Sequence, residues 1–252
     1  MKLSVVILTK DNEKNIESAL KSASFAEEII ILDDNSQDET KDIARKYEAT
    51  VIQRSLNEDF AQQRNYGLKK AIGDWILFLD ADEVITNELQ KEIVSTIKKN
   101  NKILGYYIKR RDIFWGRVLK HGEVKKTYRE GIIRFFKKNS GLWERPVHEA
   151  FVHKGYFGQL SGFIEHYSHN GIKDFIRNIN FYSTIRAKEL ANLNTKSNIL
   201  QIFFFPTAKF ILNYIFRLGF LDGVEGFVYA FMMSFHSFLV KAKLYQYNNL
   251  SK

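Results

Sequence analysis

The first hundred residues alternate, four times over, between a short apolar run rich in β-branched residues and a longer amphipathic stretch, and few folds accept that rhythm. LSVVIL (3–8) precedes Ile16, Ala19, Leu20 and Ala23 at helical spacing. EIIIL (28–32) precedes NSQDETKDIARKYE, which opens with cap-forming residues. TVIQ (50–53) precedes DFAQQRNYGLKKAIG, with Gly73 read as its C-cap, and WILFL (75–79) follows. Continuous apolar strands separated by helices must be covered on both faces, so the expected fold class is α/β with a doubly wound, mostly parallel sheet. The first run lacks a small-residue cleavage site and reads as a buried strand, with a cytoplasmic location expected.

Ligands of such sheets bind beyond the carboxyl ends of the strands. The residues leaving those ends are Thr9 to Asn12, Asp33 and Asp34, Arg54, then Asp80 and Asp82. No GxGxxG follows the first strand, which argues against a dinucleotide. WILFLDADE (75–83) instead places Asp80, Asp82 and Glu83 within four positions, where they repel unless compensated. An Asp-x-Asp pair presents two carboxylates to a hard cation, Mg²⁺ or Mn²⁺, whose shell phosphate oxygens complete. The simpler alternative is a solvated turn capping TNELQKEIVSTIKK. Arg64, on the preceding helical stretch, suits a phosphate.

The charge is uneven. Of a net +9, the segment from Lys98 to Lys138 carries fourteen Lys or Arg against three Asp or Glu. Such a block is either a solvated face or a surface for anionic lipid, a phosphorylated substrate or nucleic acid. With no cysteine there is neither a disulfide nor a thiolate metal site. His153, His166 and His169 match no metal-ligand spacing and read as structural.

Together LSVVILTK, IIILDDNSQDET, AQQRNYGLKKAIGDW and ILFLDADE resemble the nucleotide-binding half of the family-2 inverting glycosyltransferases, which have the GT-A fold. The later pieces GYYIKRRDIFWGRVLKHG, IIRFFKK, RPVHEAF, EHYSH and GFLDGVEGF resemble the bacterial lipopolysaccharide-core β-1,4-glucosyltransferase branch, whose members add glucose to an inner-core heptose. The resemblance implies a UDP-sugar donor and a lipid-linked glycan acceptor. It implies that Thr9 and one of Asp33 or Asp34 hold the uridine and that Arg64 approaches the pyrophosphate. Asp80 and Asp82 become the metal-binding pair, Asp82 the firmer ligand and Asp80 nearer the ribose or the metal. Related chains read Thr-Lys-Asn-Glu after the first strand; here Thr9-Lys10-Asp11-Asn12-Glu13 leaves open whether Asp11 or Asn12 meets the base. Inversion requires a base for the acceptor hydroxyl. Glu149, in RPVHEAFV (145–152), is the first candidate and His148 the second, with strand alternation placing them on opposite faces. A salt bridge from Glu149 to Arg145 or Arg64 is the competing role.

Residues 1–170 are therefore expected to form the catalytic domain, 1–100 for the nucleotide sugar and 101–170 for the acceptor, with 171–252 a helical membrane-associating region. GIKDFIRNINFYSTIRAKELANL (171–193) reads as an amphipathic helix. From Pro206, taken as a helix opener, Lys209, Asn213 and Arg217 recur every four residues on an otherwise apolar stretch. Residues 226–240 carry no formal charge before Lys241 and Lys243, fewer than the roughly twenty that a span needs. These helices either pack on the catalytic domain or lie in the interface of the cytoplasmic membrane with their cations toward anionic headgroups, as a peripheral protein. Two other classes compete. WILFLDADEVI fits the haloacid-dehalogenase-type phosphohydrolases, which however carry that motif on their first strand. A non-enzymatic basic module leaves the converging acids unexplained, because an acidic crevice repels a polyanion; no nucleic-acid partner is expected.

Overall fold

The computed structural model describes residues 1–99, 102–147, 149–169 and 171–249. The alternating half folds as its pattern dictates. Strand β1 (Leu3–Thr9) leads to helix α1 (Ile16–Ala23), β2 (Glu28–Asp33) to α2 (Thr40–Lys46), β3 (Thr50–Gln53) to α3 (Phe60–Lys70), and β4 (Trp75–Asp80) closes the series. β1 is parallel to β2 on one side and β4 on the other, and β2 is parallel to β3. All seven residues of β1 are buried, as a strand covered on both faces requires. Leu3, Val5 and Ile7 pack with α1 and with Leu89, Ile93 and Ile97; Val6 and Leu8 pack beneath α3. α3 runs close to the sheet because Gly67 has no side chain: a Cβ there would lie 2.7 Å from Val6 and 2.8 Å from Leu32.

Beyond β4 the sheet becomes mixed. The chain continues through β5 (Glu83–Ile85), α4 (Asn87–Lys98), β6 (Gly105–Phe114), β7 (Arg117–Leu119), α5 (Lys125–Arg129), β8 (Ile132–Lys137), β9 (Gly141–Glu144), β10 (Ala150–His153) and β11 (Phe157–His169). The sheet order is β3-β2-β1-β4-β8-β6-β11-β5, with β8 antiparallel to β4 and β5 antiparallel to β11. β9 and β10 form a separate antiparallel pair that packs Trp143 and Phe151 against Phe78 and Phe136. The strand expected to begin at Arg145 begins later. Arg145 takes a left-handed conformation (φ 75°) and Pro146 has no N–H to give a ladder, so β10 starts at Ala150 and Glu149 sits on a loop.

The chain divides into two compact units, Met1–Arg111 with Arg129–His166, and Asp112–Tyr128 with Tyr167–Lys252. The second adds α6 (Ile172–Asn192), α7 (Ile199–Ile211) and α8 (Gly223–Asn249). α6 and α7 each pack on α8, and Phe114, Leu119, Val124, Phe175, Ile179 and Met232 make the core. Asp222 is buried and accepts from the backbone N–H groups of Lys120 (2.9 Å) and His121 (2.8 Å), with the His121 ring 2.8 Å from its other oxygen. The LKHG and FLDG segments are thus partners a hundred residues apart. Helix α7 does not open at Pro206; it begins seven residues earlier, where the Asn198 side chain accepts from the Gln201 N–H, and Pro206 lies inside it. Its polar stripe also faces inward. Lys209 and Asn213 donate to the Glu123 carboxylate at 2.8 and 2.7 Å, and Arg217 donates to Asn213 at 3.1 Å. Lys241 lies over the Phe205 ring, and Lys243 donates to Asn180, Ser183 and Thr184 on α6. The cations expected to face lipid headgroups are engaged within their own unit.

Candidate active site

The carboxyl ends of β1, β2 and β4 carry the predicted residues to one edge. Thr9 pairs with Asp33 across the β1–β2 ladder, and Leu8 pairs with Asp80 across β1–β4. Asp33 and Asp80 are therefore two strand spacings apart, about 10 Å. Asp33 is fully buried; one carboxylate oxygen accepts from the Ser36 N–H at 3.0 Å and the other has no partner, nor does the buried Thr9 hydroxyl. Asp34 differs. Its oxygens accept from Lys10 and from the Leu56 N–H, both at 2.9 Å, so of the two aspartates only Asp33 keeps an unanswered acceptor. Asp11 and Asn12 hold the loop itself: Asp11 accepts from the Gln37 N–H at 2.7 Å, and the Asn12 side chain accepts from Asn15 while its N–H donates to Thr40.

Around β4 the acids are met by arginines. Arg64, on the buried face of α3, donates to Asp80 at 2.8 Å and to Glu149 at 2.7 Å. Arg134, on β8, donates to the other Asp80 oxygen at 2.7 Å. Glu83, 0% exposed, accepts from the Asp80 N–H at 3.0 Å and lies 3.5 Å from both Arg110 and Arg134. Trp143 and Phe78 flank the Arg64 guanidinium. Burial raises the Asp80 carboxyl, but Arg134 and Arg64 outweigh it and hold Asp80 well below the usual carboxylate range. Burial also raises Glu149, and Arg64 with Arg134 again carries the balance downward. The arginines are not saturated: Arg64 Nη1 and Arg134 Nε are buried donors without an acceptor. Such atoms are costly unless something outside the chain completes them.

Asp82 stands apart. Among the described residues no guanidinium lies within ion-pair distance of it, and its Oδ2 faces His166 Nε2 at 3.6 Å. That is too long for a hydrogen bond, and the oxygen–nitrogen donor set suits a divalent cation whose remaining positions go to phosphate and water. No three His, Asp or Glu side chains among the described residues converge as a ready cage. The predicted pair is thus divided: no guanidinium claims Asp82 among the described residues, whereas both oxygens of Asp80 are taken by arginines. The same clamping unsuits Asp80 as a phosphohydrolase nucleophile. His148 lies outside the described residues.

Sequence reasoning missed Arg134 and Arg110, and it read His166 as structural; His166 Nε2 lies 3.6 Å from Asp82. IIRFFK carries a signal, since one arginine amid four apolar residues of a buried strand must find an acid. For His166 the signal is positional: it lies opposite Glu83 in the β11–β5 ladder, one residue from Asp82.

The family model for glycosyl transferase family 2 matches residues 4–160. Similar proteins include the lipopolysaccharide core biosynthesis glycosyltransferase LpsC of Rhizobium meliloti, 26% identical with 97% of this chain and 92% of that protein covered. An uncharacterized glycosyltransferase of Rickettsia felis is 30% identical, with 96% and 89% covered. Among solved structures, TarS residues 1–349 of S. aureus in complex with UDP-GlcNAc matches with a TM-score of 0.53 at 16% identity, covering 98% of this chain and 92% of that one. Glucosyl-3-phosphoglycerate synthase of Mycobacterium tuberculosis, in complex with Mn²⁺, UDP and glucosyl-3-phosphoglycerate, matches with a TM-score of 0.51 at 17% identity, covering 78% and 81%. At these identities the structural likeness shows a shared GT-A fold.

Proposed function

Because the chain belongs to glycosyl transferase family 2, we propose that it transfers a hexose, glucose by the resemblance of its later motifs, from a UDP-sugar to a lipid-linked envelope glycan of the lipopolysaccharide-core type, with inversion. The observation that carries this reading is the set of four unanswered buried polar atoms. Thr9 and Asp33 supply a hydroxyl and an acceptor on the β1–β2 side, and Arg64 and Arg134 supply spare cationic donors on the β4 side. A nucleoside diphosphate has the matching ends: an imide N–H for Asp33 and a dianionic diphosphate for the arginines. The complexes of the two fold relatives with UDP, UDP-GlcNAc and Mn²⁺ support the donor class.

In this reading Asp82 and His166 hold Mg²⁺ or Mn²⁺, which when bound offsets negative charge on the departing diphosphate. Glu149 takes the proton from the acceptor hydroxyl. The ion pair with Arg64 holds Glu149 as a poor base. A diphosphate competes for the same guanidinium and relaxes that hold, so the base becomes effective once the donor has arrived.

Two measurements test this. UDP-glucose with Mn²⁺ is expected to raise the melting temperature, and adding the glycolipid acceptor to release UDP; free phosphate without UDP would sink the transferase reading. Glu149→Gln is expected to bind UDP-glucose as well as or better than the parent, because Arg64 loses a competitor, while transfer falls about a hundredfold or more. Retention of transfer in that variant would reduce Glu149 to a salt-bridge partner.

A further inference from the structure

Seventeen large apolar side chains between Ile199 and Phe238 are more than a third exposed, nine of them phenylalanines. Water-facing surfaces of monomers rarely gather so much apolar area in one place. Over Ile199–Phe216 the mean hydropathy is 1.5 and 6% of the stretch is buried; its one buried residue is Asn213. This stretch is inverted relative to a soluble helix, with Asn213 inside and most of its large apolar residues out.

We propose that the α7–α8 pair seats the protein on a lipid bilayer, lying parallel to the surface with this apolar face among the acyl chains and its cations turned toward the protein. The inference deepens the lipid-linked acceptor reading and rests on it for a reason to be at a membrane; its physical basis is separate. Charge decides the occupant. Lys209 and Arg217 engage Glu123 and Asn213, Lys241 engages Phe205 and Gln201, and Lys243 engages α6. The outward face therefore has little to give an acidic protein or a headgroup. The exposed Thr207 hydroxyl is answered locally as well, donating to the Phe203 carbonyl, and the buried Ser234 donates to that of Pro206. Hydrocarbon is the environment that demands internal satisfaction of every polar group. A protein partner is a poorer match, because even homodimer interfaces are only about 65% apolar and bring polar groups that need partners.

Length permits a span, but the packing argues for lying flat. α8 is long and apolar enough to cross a membrane, yet α6 packs along it, and Arg177 on α6 is 72% exposed. Threading α8 through a bilayer would carry the charged α6 into hydrocarbon or strip Lys243 of its partners. Insertion to the depth of the side chains needs neither.

The test uses the full-length protein and flotation with vesicles of phosphatidylcholine alone or mixed with phosphatidylglycerol. The expected result is flotation with both, little changed between about 0.1 and about 1 M NaCl, across which the Debye length shrinks from about 10 to about 3 Å. Replacing Phe203, Phe204 and Phe216 together by Ser is expected to weaken vesicle binding by at least about a hundredfold. All three are exposed, so the melting temperature should hold. A Phe203→Trp variant is expected to lose fluorescence on vesicles with brominated acyl chains, which reports burial in hydrocarbon directly. Flotation only with anionic vesicles and release by salt would overturn the proposal, as would a protein that ignores both vesicles and runs as a dimer through this face. Neither readout involves sugar transfer, so failure here and failure of the transferase reading remain distinguishable.

Discussion

Asp82→Asn is expected to lower sugar transfer by about a hundredfold or more, equivalent to about 3 kcal/mol in the transition state, with the fold intact. Of the three acids that follow β4, Asp82 is the one that no arginine claims among the described residues, and it faces His166 at 3.6 Å. An amide keeps its shape and loses the charge that holds a divalent cation. Because Asp82 is only half-buried and serves no guanidinium, its neutralisation leaves no cation stranded, and stability should be nearly unaffected. Activity against Mn²⁺ or Mg²⁺ concentration separates the possibilities. Near-normal turnover with an unchanged metal dependence would remove Asp82 from the metal site, whereas a loss reversed by excess metal would mark it as a weak ligand.

Arg64→Met should cost both stability and activity. The substitution keeps much of the aliphatic packing against Phe78 and Trp143 but leaves Glu149 and one Asp80 oxygen unpaired in a largely buried crevice. Breaking a fully buried pair costs about 3–5 kcal/mol. Arg134 still serves Asp80, and both carboxylates retain some solvent, so about 2–4 kcal/mol is expected, a fall of roughly 5–10 °C in melting temperature. The pH dependence identifies the cause. In the parent Glu149 titrates below its usual value, so its contribution is present above the unfolded-state pKa and is lost as pH falls through the lower folded one. In the variant an unpaired Glu149 prefers to be neutral, so acidification relieves the penalty. The gap in melting temperature between parent and variant should therefore narrow from pH 7 to pH 5; a constant gap would point to lost packing instead.

The alternating first half was legible because its signals are local. A β-branched run of five or six residues is a buried strand wherever it lies, and the residue that ends it falls at the carboxyl edge of a parallel sheet. Asp33, Asp80 and Asp82 followed from that rule, as did Arg64 from its place on the intervening helix. The antiparallel part was less legible. Arg110 and Arg134 reach Glu83 from strands 27 and 51 residues away in sequence, and no local pattern fixes which strands become neighbours. The distinction between Asp33 and Asp34 was equally out of reach, since it depends on Lys10 and the Leu56 amide. The inward polar stripe of α7 fails for the same reason: spacing shows that Lys209, Asn213 and Arg217 share a face, but only Glu123, some ninety residues earlier, decides where that face turns.

The interrupted second unit has a consequence for the order in which the protein is made. Strands β1 to β4 emerge from the ribosome in sequence and find each other at once, since their contacts lie within the first eighty residues. Asp112–Tyr128 emerges soon afterward, yet Glu123 waits for Lys209 and Asn213, and the amides of Lys120 and His121 wait for Asp222. About a hundred further residues must be synthesised before that segment closes, several seconds or more at about 5–20 residues per second. During that interval the nascent chain carries a formed parallel core and a segment without its partners, while the phenylalanine-rich stretch from Ile199 is still to be made or lies within the ribosome. The most apolar stretch thus meets water only after the parallel core has had time to form.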